Sequence, residues 1–518
     1  MTSKKLLFFM LLVSCVAKAQ LTDSIFLKEN SFYNSINEQL WRTPLFFTNQ
    51  QFSDYTQTEI SFSQKELNLK RVQTASKTTS YNFSTDGIYN VNSRLKIFGD
   101  FTVNRKNEKD LGYNFTSQRT ENQNVLNPNY FYAPKKGDWK IQNYALKGGL
   151  SYQFKNNILL GITSFYDNGR YFRKIDPRPE IEASNFGAKL HTGYTYKNHR
   201  LTVNAGMSQK TEKNSIIYVD DTQNAPVYTE TFTRFSSGYG RVVFNSSYTN
   251  HIFRTVDKNF GGGYQFQNNK STFSIDYNYN KSMENFYGRS PNGKVFIDES
   301  LIQYKYRIVS TEVNANYYFD GNAIDYKVSF NFNQNQGDNY SVAEQGQNFR
   351  MNVDKIGFNS GIIKKDVAKV LYSFEFGANY LQHKYVDLLG TTNKQLNTID
   401  INASFNKDLF FNQKNKLNLA VAVNYYKALD EKLLYNPTAS NTNFADNVIF
   451  PDHGFDVTSK LFSNLKGQYS LKLPKERTLR IFANYSTLVA LDKKYLTYVE
   501  NFETKYSSYL SAGIAIIY

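Results

Sequence analysis

The residues with the widest chemical repertoire are five histidines, His191, His199, His251, His383 and His453, and none has a second histidine three or four residues away. A helical metal site needs such pairs, so each reads as a solvated turn residue or a wall residue rather than a ligand. Nucleophilic catalysis would need a Ser or Asp brought to a His in space, and no local motif marks one. Gly238-Tyr239-Gly240 lacks the third glycine and the following helix of a nucleotide loop. Gly261-Gly262-Gly263 instead suits a strand that bends or that another segment approaches closely. The expectation is a chain that is not an enzyme and holds no cofactor or metal. What remains is binding or passage, and that depends on the elements that would frame it.

The first twenty residues address the chain out of the cytoplasm. Lys4 and Lys5 precede an apolar run from Leu6 to Val16, and Ala17-Lys18-Ala19 precedes Gln20. Basic, apolar, then A-x-A is the order of a secretory signal peptide, and a run of about eleven apolar residues is too short to span a bilayer as a helix. Cleavage is expected between Ala19 and Gln20, with Ala17 and Ala19 as the small residues of the site. The single cysteine, Cys15, lies inside this segment; acylation there is the competing reading, and in either case no disulfide can form.

Composition excludes a string of ordinary soluble domains. Among 518 residues there are 42 Phe and 40 Tyr but 2 Trp, and no low-complexity linker divides the chain. Mean hydropathy is nonetheless −0.55. Aromatics this frequent in a hydrophilic chain fit a membrane β-barrel, in which each strand shows lipid only its alternate residues. The periodicity agrees: Ile324, Tyr326, Val328, Phe330 and Phe332 alternate with Asp325, Lys327, Ser329, Asn331 and Asn333. Similar alternation begins at Leu146, Leu201, Phe273, Val313, Tyr372, Ile399 and Leu417. A soluble sandwich also alternates, but its inner face would be mainly Val, Ile and Leu.

Short polar breaks set the strand count. They fall at Asn92-Ser93, Asn156-Asn157, Asn198-His199, Asn268-Asn269, Gly321-Asn322, Lys364-Lys365-Asp366, Asn412-Gln413-Lys414 and Pro474-Lys475-Glu476. Asn and Gly tolerate the positive φ of tight hairpins. Roughly 40 to 70 residues separate successive breaks, room for two strands and a longer loop. The reading is an all-β fold, a transmembrane antiparallel barrel of about 18 strands, with 16 the nearest competitor. Short turns would face the periplasm and long loops the outside. The longest loops are expected over 105–142, 169–182, 210–227, 334–348 and 429–453, and the stretch 210–267 reads as either two long strands or three to four shorter ones. The domain plan is a signal peptide (1–19), a periplasmic extension or small plug (20–55) and the barrel (56–518).

The last residues carry the most specific local pattern. Polar Ser511, Gly513, apolar Ile516 and terminal aromatic Tyr518 resemble the β-signal by which outer-membrane barrels engage their assembly machinery. Together with the Ala-Gln signal end, the Asn-rich turns and Gln39-Leu40-Trp41-Arg42-Thr43-Pro44, the chain resembles Bacteroidota-type outer-membrane β-barrel proteins of a domain-of-unknown-function family. That resemblance implies location and fold but no substrate. Removing Lys4, Lys5 and Lys18 leaves 58 basic against 45 acidic residues, a net +13. No nucleic-acid motif accompanies the charge, which leaves three readings: anionic solutes in the lumen, lipopolysaccharide phosphates at the rim, or charge scattered on the loops for solubility. Two functions compete: a channel or transport-related barrel, and a non-conducting barrel that partners a TonB-dependent transporter, a surface lipoprotein or a secretion component. The aromatic loop Asn127-Pro128-Asn129-Tyr130-Phe131-Tyr132 and Trp139 are read first as packing inside the loop, and as the place to look for ligand or partner contacts.

Overall fold

The computed structural model describes residues 42–49, 54–118, 127–220, 230–243, 250–290, 292–366, 369–412, 414–436, 442–474, 477–498 and 506–518. The signal-peptide residues Ala17, Ala19 and Gln20, and most of the 20–55 segment, lie outside them. The strands are β1 (Tyr55–Leu67), β2 (Lys77–Asn90), β3 (Leu95–Leu111), β4 (Asn129–Tyr132), β5 (Gly137–Gln153), β6 (Ile158–Arg173) and β7 (Arg178–Tyr196). They continue with β8 (His199–Ile217), β9 (Arg234–Ser237), β10 (Val242–Val243), β11 (Asn250–Gln267), β12 (Ser271–Tyr287), β13 (Ile302–Phe319) and β14 (Ile324–Ser341). The last are β15 (Phe349–Asp366), β16 (Lys369–Asp387), β17 (Thr392–Phe410), β18 (Asn415–Tyr435), β19 (Lys460–Lys472), β20 (Thr478–Ala490) and β21 (Tyr506–Ile517).

Eighteen of these form one sheet, each pairing antiparallel with its neighbours, and β21 pairs back onto β1 from Gln57↔Ile517 to Leu67↔Ser507. The sheet is therefore a closed barrel with no free edge, the form in which every backbone polar group of a spanning strand finds a partner. β4, β9 and β10 make a separate three-stranded sheet from loop residues. Among the described residues no helix is long and apolar enough to cross a membrane.

Alternation becomes two faces. On β14, Tyr326, Val328 and Phe330 are exposed while Asp325, Lys327 and Ser329 are buried. The outward set would meet lipid, and the inward set lines the lumen. Asparagines cross-brace that lumen: Asn424 donates to Asp400 at 2.5 Å, Asn464 to Asn484 at 2.6 Å and Asn314 to Asp276 at 3.1 Å.

All the short breaks fall at one end of the barrel, and three share a construction beyond tolerance of positive φ. The side-chain oxygen of Asn92 accepts from the backbone N–H of Arg94 and Leu95, Asn268 from Lys270 and Ser271, and Asn412 from Lys414 and Asn415. The asparagine thus closes the turn with its own amide. Positive φ occurs at Asn157 and Lys197 instead. The break at Lys364-Lys365-Asp366 moves slightly: β15 runs through Asp366 and β16 begins at Lys369.

At the other end the expected loops are shorter than their sequences suggest. β6 and β7 continue to Arg173 and Arg178, so the loop expected over 169–182 shrinks to 174–177; β14 likewise runs to Ser341, and β18 to Tyr435. Beyond the lipid both faces of a strand are polar, so periodicity disappears while hydrogen bonding goes on. The stretch 210–267 resolves into the end of β8, the small β9–β10 hairpin and the long β11.

The described part of the N-terminal segment lies inside the lumen near the short-turn end. A single 3₁₀ turn, Pro44–Asn49, buries Leu45 and Phe46 against the wall. Arg200 donates to the Leu45 carbonyl at 2.9 Å, and Arg42 pairs with Glu312 at 2.6 Å. Gly193 and Gly161 leave the slot for the Leu45 side chain: a Cβ on Gly161 would sit 3.0 Å from Leu45 Cδ2 and one on Gly193 3.4 Å from Cδ1. Gly263, in the glycine triplet, similarly faces Phe46. Leu45→Ala is expected to cost about 2–5 kcal/mol of this docking, read as faster proteolytic release of the N-terminal segment with the barrel's heat-resistant gel mobility unchanged.

Candidate functional site

The loop end of the barrel is filled, and the filling is built from aromatic residues. Wall residues point inward at the tops of their strands: Trp139 on β5, Ile181 on β7, Ile216 on β8, Phe253 on β11, Phe286 on β12 and Tyr304 on β13. Loop residues Phe115, Phe131 and Phe235 complete the same cluster. Phe131 stacks on His251 at 3.9 Å between centroids and meets Phe235 at 4.8 Å. Aromatic pairs of this kind add about 0.5–1.5 kcal/mol each beyond their burial. Asn127–Tyr132 and Trp139 are therefore a core rather than a recognition surface; Trp139 is 0% and Phe131 1% exposed.

Two carboxylates pin the loops to the wall. Asp387, at the top of β16, accepts from Tyr239 N at 2.7 Å, Arg241 N at 3.0 Å, Gly390 N at 2.8 Å and Asn348 Nδ2 at 2.8 Å. This anchors the β9–β10 hairpin, whose Tyr239 ring then packs against Tyr385. A Cβ on Gly238 or Gly390 would collide with the Asp387 carboxylate, so only glycine permits the approach.

The second anchor stands beside the first, reaching the wall at Lys394 of β17, whose ammonium lies 5.7 Å from the Tyr239 ring. Residues 442–457 form a helical segment: Thr442–Phe444, a π-helical turn at Ala445–Ile449, then α1 (Phe450–Val457). Phe444, Ala445, Val448 and Ile449 pack on Tyr113, Tyr130 and Tyr132 of the β3–β5 loop. Asp456 of α1 meets Arg71 of the β1–β2 loop at 2.7 Å and Lys394 of β17 at 2.6 Å. Burial alone would raise its pKa, but those two cations hold the carboxyl well below the usual range. Arg71 is raised in turn, burial being outweighed by Asp456 and Asp452. Asp452, one turn earlier on α1, accepts from Val72 N at 2.7 Å; its burial outweighs Arg71, and its pKa is pushed up to about 6.

Three histidines are wall residues, His191 on β7, His251 on β11 and His383 on β16, and it is His453 that departs from the expectation. His191, His251, His383 and His453 are all buried, and His453 belongs to α1 rather than to a turn or the wall. Burial lowers its pKa to about 3, so its 3.6 Å approach to Glu431 is not an ion pair at neutral pH. His199 alone stays near solvent, bonded to Tyr264 Oη at 2.7 Å. No group of three or more His, Cys, Asp or Glu among the described residues is placed to hold a metal.

The C-terminal pattern lies on the barrel seam. Ser511 and Gly513 share the lumen-facing register of β21, and Ile516 and Tyr518 the opposite one. The Phe482 ring covers Gly513, where a Cβ would also come 2.8 Å from Ile60 O. Tyr518 exchanges backbone hydrogen bonds with Thr56 and closes the last rung.

Over residues 44–518 the sequence matches a family of unknown function (DUF6850). The chain belongs to this family. DUF6850 thus spans the whole barrel together with the lumen turn at Pro44–Asn49. No curated protein matches the sequence. Among solved structures the chain is similar to the ferric preacinetobactin receptor of Acinetobacter baumannii, at 8% identity and TM-score 0.40, covering 89% of this chain and 80% of that one. It is also similar to the ferric yersiniabactin uptake receptor of Yersinia pestis, at 6% identity and TM-score 0.40, covering 90% and 80%. The DUF6850 barrel is an outer-membrane-type barrel by its own closed pairing.

Asp387, Asp456, Arg71 and Asp452 carry no local signature, and sequence reasoning missed them. One signal was present: Phe444, Ala445, Val448 and Ile449 recur at helical spacing in a chain otherwise of period two.

Proposed function

We propose that this chain is a transport-related barrel of the outer membrane whose outward mouth is held shut by its own loops and must open to pass a solute. The observation that supports this is the inward-folded loop core, which reaches the wall at β5–β13, at β16 through Tyr239 and Tyr385, and at β17–β18 through α1. A standing pore needs a water-filled path past its loops, which an aromatic core packed to the wall obstructs. In this reading residues 1–19 are removed between Ala19 and Gln20, the segment ending at Ser511, Gly513, Ile516 and Tyr518 engages the assembly machinery, and short turns face the periplasm. The proposal includes no catalysis. A second reading, a non-conducting partner of another outer-membrane protein, is favoured by exposed apolar residues at the loop end, among them Leu388, Val219 and Phe296.

Refolded protein in a planar bilayer is expected to be electrically silent at low voltage. Stable conductance steps from the unmodified protein would overturn the closed-mouth reading.

A further inference from the structure

Beneath α1 the loop core gives way to a cavity of about 640 Å³ that runs along the lumen face from β15 round to β1. Its chemistry differs from the asparagine-lined lumen around it. Four cations border it, Lys65, Lys70, Arg71 and Lys355, against two carboxylates, Asp400 and Asp456, with Lys460 beside them, its pKa lowered by burial to about 7. Asp456 is already shared between Arg71 and Lys394, the latter outside the lining, so the excess of positive charge stands.

Between the wall lysines lies an apolar strip. Phe462 and Leu488 are cross-strand neighbours on β19 and β20, and Ser507 of β21 bridges Leu488 to Leu67 of β1. Phe455 of α1 roofs the strip. Phe462 is 39% exposed although its register points inward, so that surface faces the cavity. At the β1 end of the strip a cation adjoins an aromatic side chain, Lys65 over the Tyr509 ring at 5.6 Å, while Lys355 lies at the far end of the cavity on β15, in register with Leu381. Exposed apolar surface with flanking cations, enclosed under a roof, is complementary to a molecule with an anionic head and an apolar body.

We propose that this cavity is a binding site for an amphiphilic anion, one phosphate or carboxylate head on a short apolar body. The site deepens the transport reading by naming a solute class, and it does not depend on whether the mouth conducts. The solute would reach it from the short-turn side while the mouth is closed, or from outside once α1 lifts.

The test is calorimetric titration of the full-length mature protein in non-ionic detergent with hexyl phosphate, a soluble amphiphile, beside inorganic phosphate, hexyltrimethylammonium and dihexanoyl phosphatidylglycerol. Hexyl phosphate is expected to bind, with inorganic phosphate much weaker and the cation silent. Binding of the phosphatidylglycerol tighter than hexyl phosphate would point to a lipid head as the source, and the reverse to a free anion; both support the site. Lys65→Met, at the β1 end beside the apolar strip, should weaken hexyl phosphate by about tenfold, and Lys355→Met, seven strands round the wall, much less. Phe462→Ser should weaken hexyl phosphate but not inorganic phosphate. Equal binding of anionic and cationic amphiphiles, or no binding by unmodified protein that shows the heat-resistant mobility of a folded barrel, would overturn the proposal. Conductance is measured separately, so a silent barrel that binds hexyl phosphate and a conducting one that does not are different failures.

Discussion

Replacing Asp456 with alanine is expected to release α1 from the barrel mouth. The change leaves Arg71 and Lys394 inside the mouth without their shared counter-ion, and breaking a buried ion pair from one side typically costs about 3–5 kcal/mol. That cost falls on the docked state alone, because an undocked loop returns both cations to water. Hydrogen exchange across 450–457 should accelerate by orders of magnitude, and the silent barrel should acquire openings in the bilayer. An α1 as protected in the variant as in the parent would remove Asp456 from the role of anchor. The neighbouring Asp452 adds a pH dependence of opposite sense. Its pKa, about 6 in the docked state, lies above that of an exposed aspartate, so docking binds a proton. The Asp452 contribution is therefore largest near pH 4, weakens as pH rises from about 4 to about 6, and is constant above. Asp456 works the other way: its contribution is lost only as pH falls below about 4, where an exposed aspartate takes up its proton, so it stays intact throughout that window. Asp452→Asn should flatten the dependence.

Asp387→Ala is expected to free the β9–β10 hairpin that lies beside α1. Three backbone N–H groups and the Asn348 amide converge on this carboxylate, and each donor left unsatisfied in a buried site costs about 1–3 kcal/mol. Asn348 keeps a second acceptor in Ser237 O at 2.9 Å, so the three backbone groups bear most of the loss. The β9–β10 hairpin should swing out and take Tyr239 from its contact with Tyr385. Limited proteolysis within 234–243 checks this, with Asp387→Asn as an intermediate case because one carbonyl oxygen can still accept. Asp387 and Asp456 anchor different loops, so the double variant should conduct more than either single one.

The strand number and the turns were legible in the sequence because both are local. A period of two over ten residues needs nothing outside the strand to be seen, and Asn92, Asn268 and Asn412 each close a turn within three residues of themselves. The strand ends were not legible, since past the lipid boundary a strand such as β14 continues through Gln334 to Ser341 with polar residues on both faces. The filled mouth was hidden for a different reason. Phe131 and Trp139 look the same in sequence whether they meet water or Phe235 and Phe115, and only the fold supplies those partners. Asp456 is one of 45 acidic residues until Arg71 arrives from 385 positions away.

The seam between β1 and β21 bears on how such a molecule comes into being. Most other pairings join strands adjacent along the chain, so the sheet can grow hairpin by hairpin from either end. The seam joins Thr58 to Tyr518, 460 residues apart. Until that stitch is made the sheet has two raw margins, each a row of unpaired backbone groups that lipid cannot satisfy. Closing it carries the largest chain-entropy cost of the fold, although that cost grows only with the logarithm of loop length. β21, at twelve residues the shortest strand of the barrel, is the zipper's last tooth, and whatever inserts this chain has to hold those two margins together while it engages.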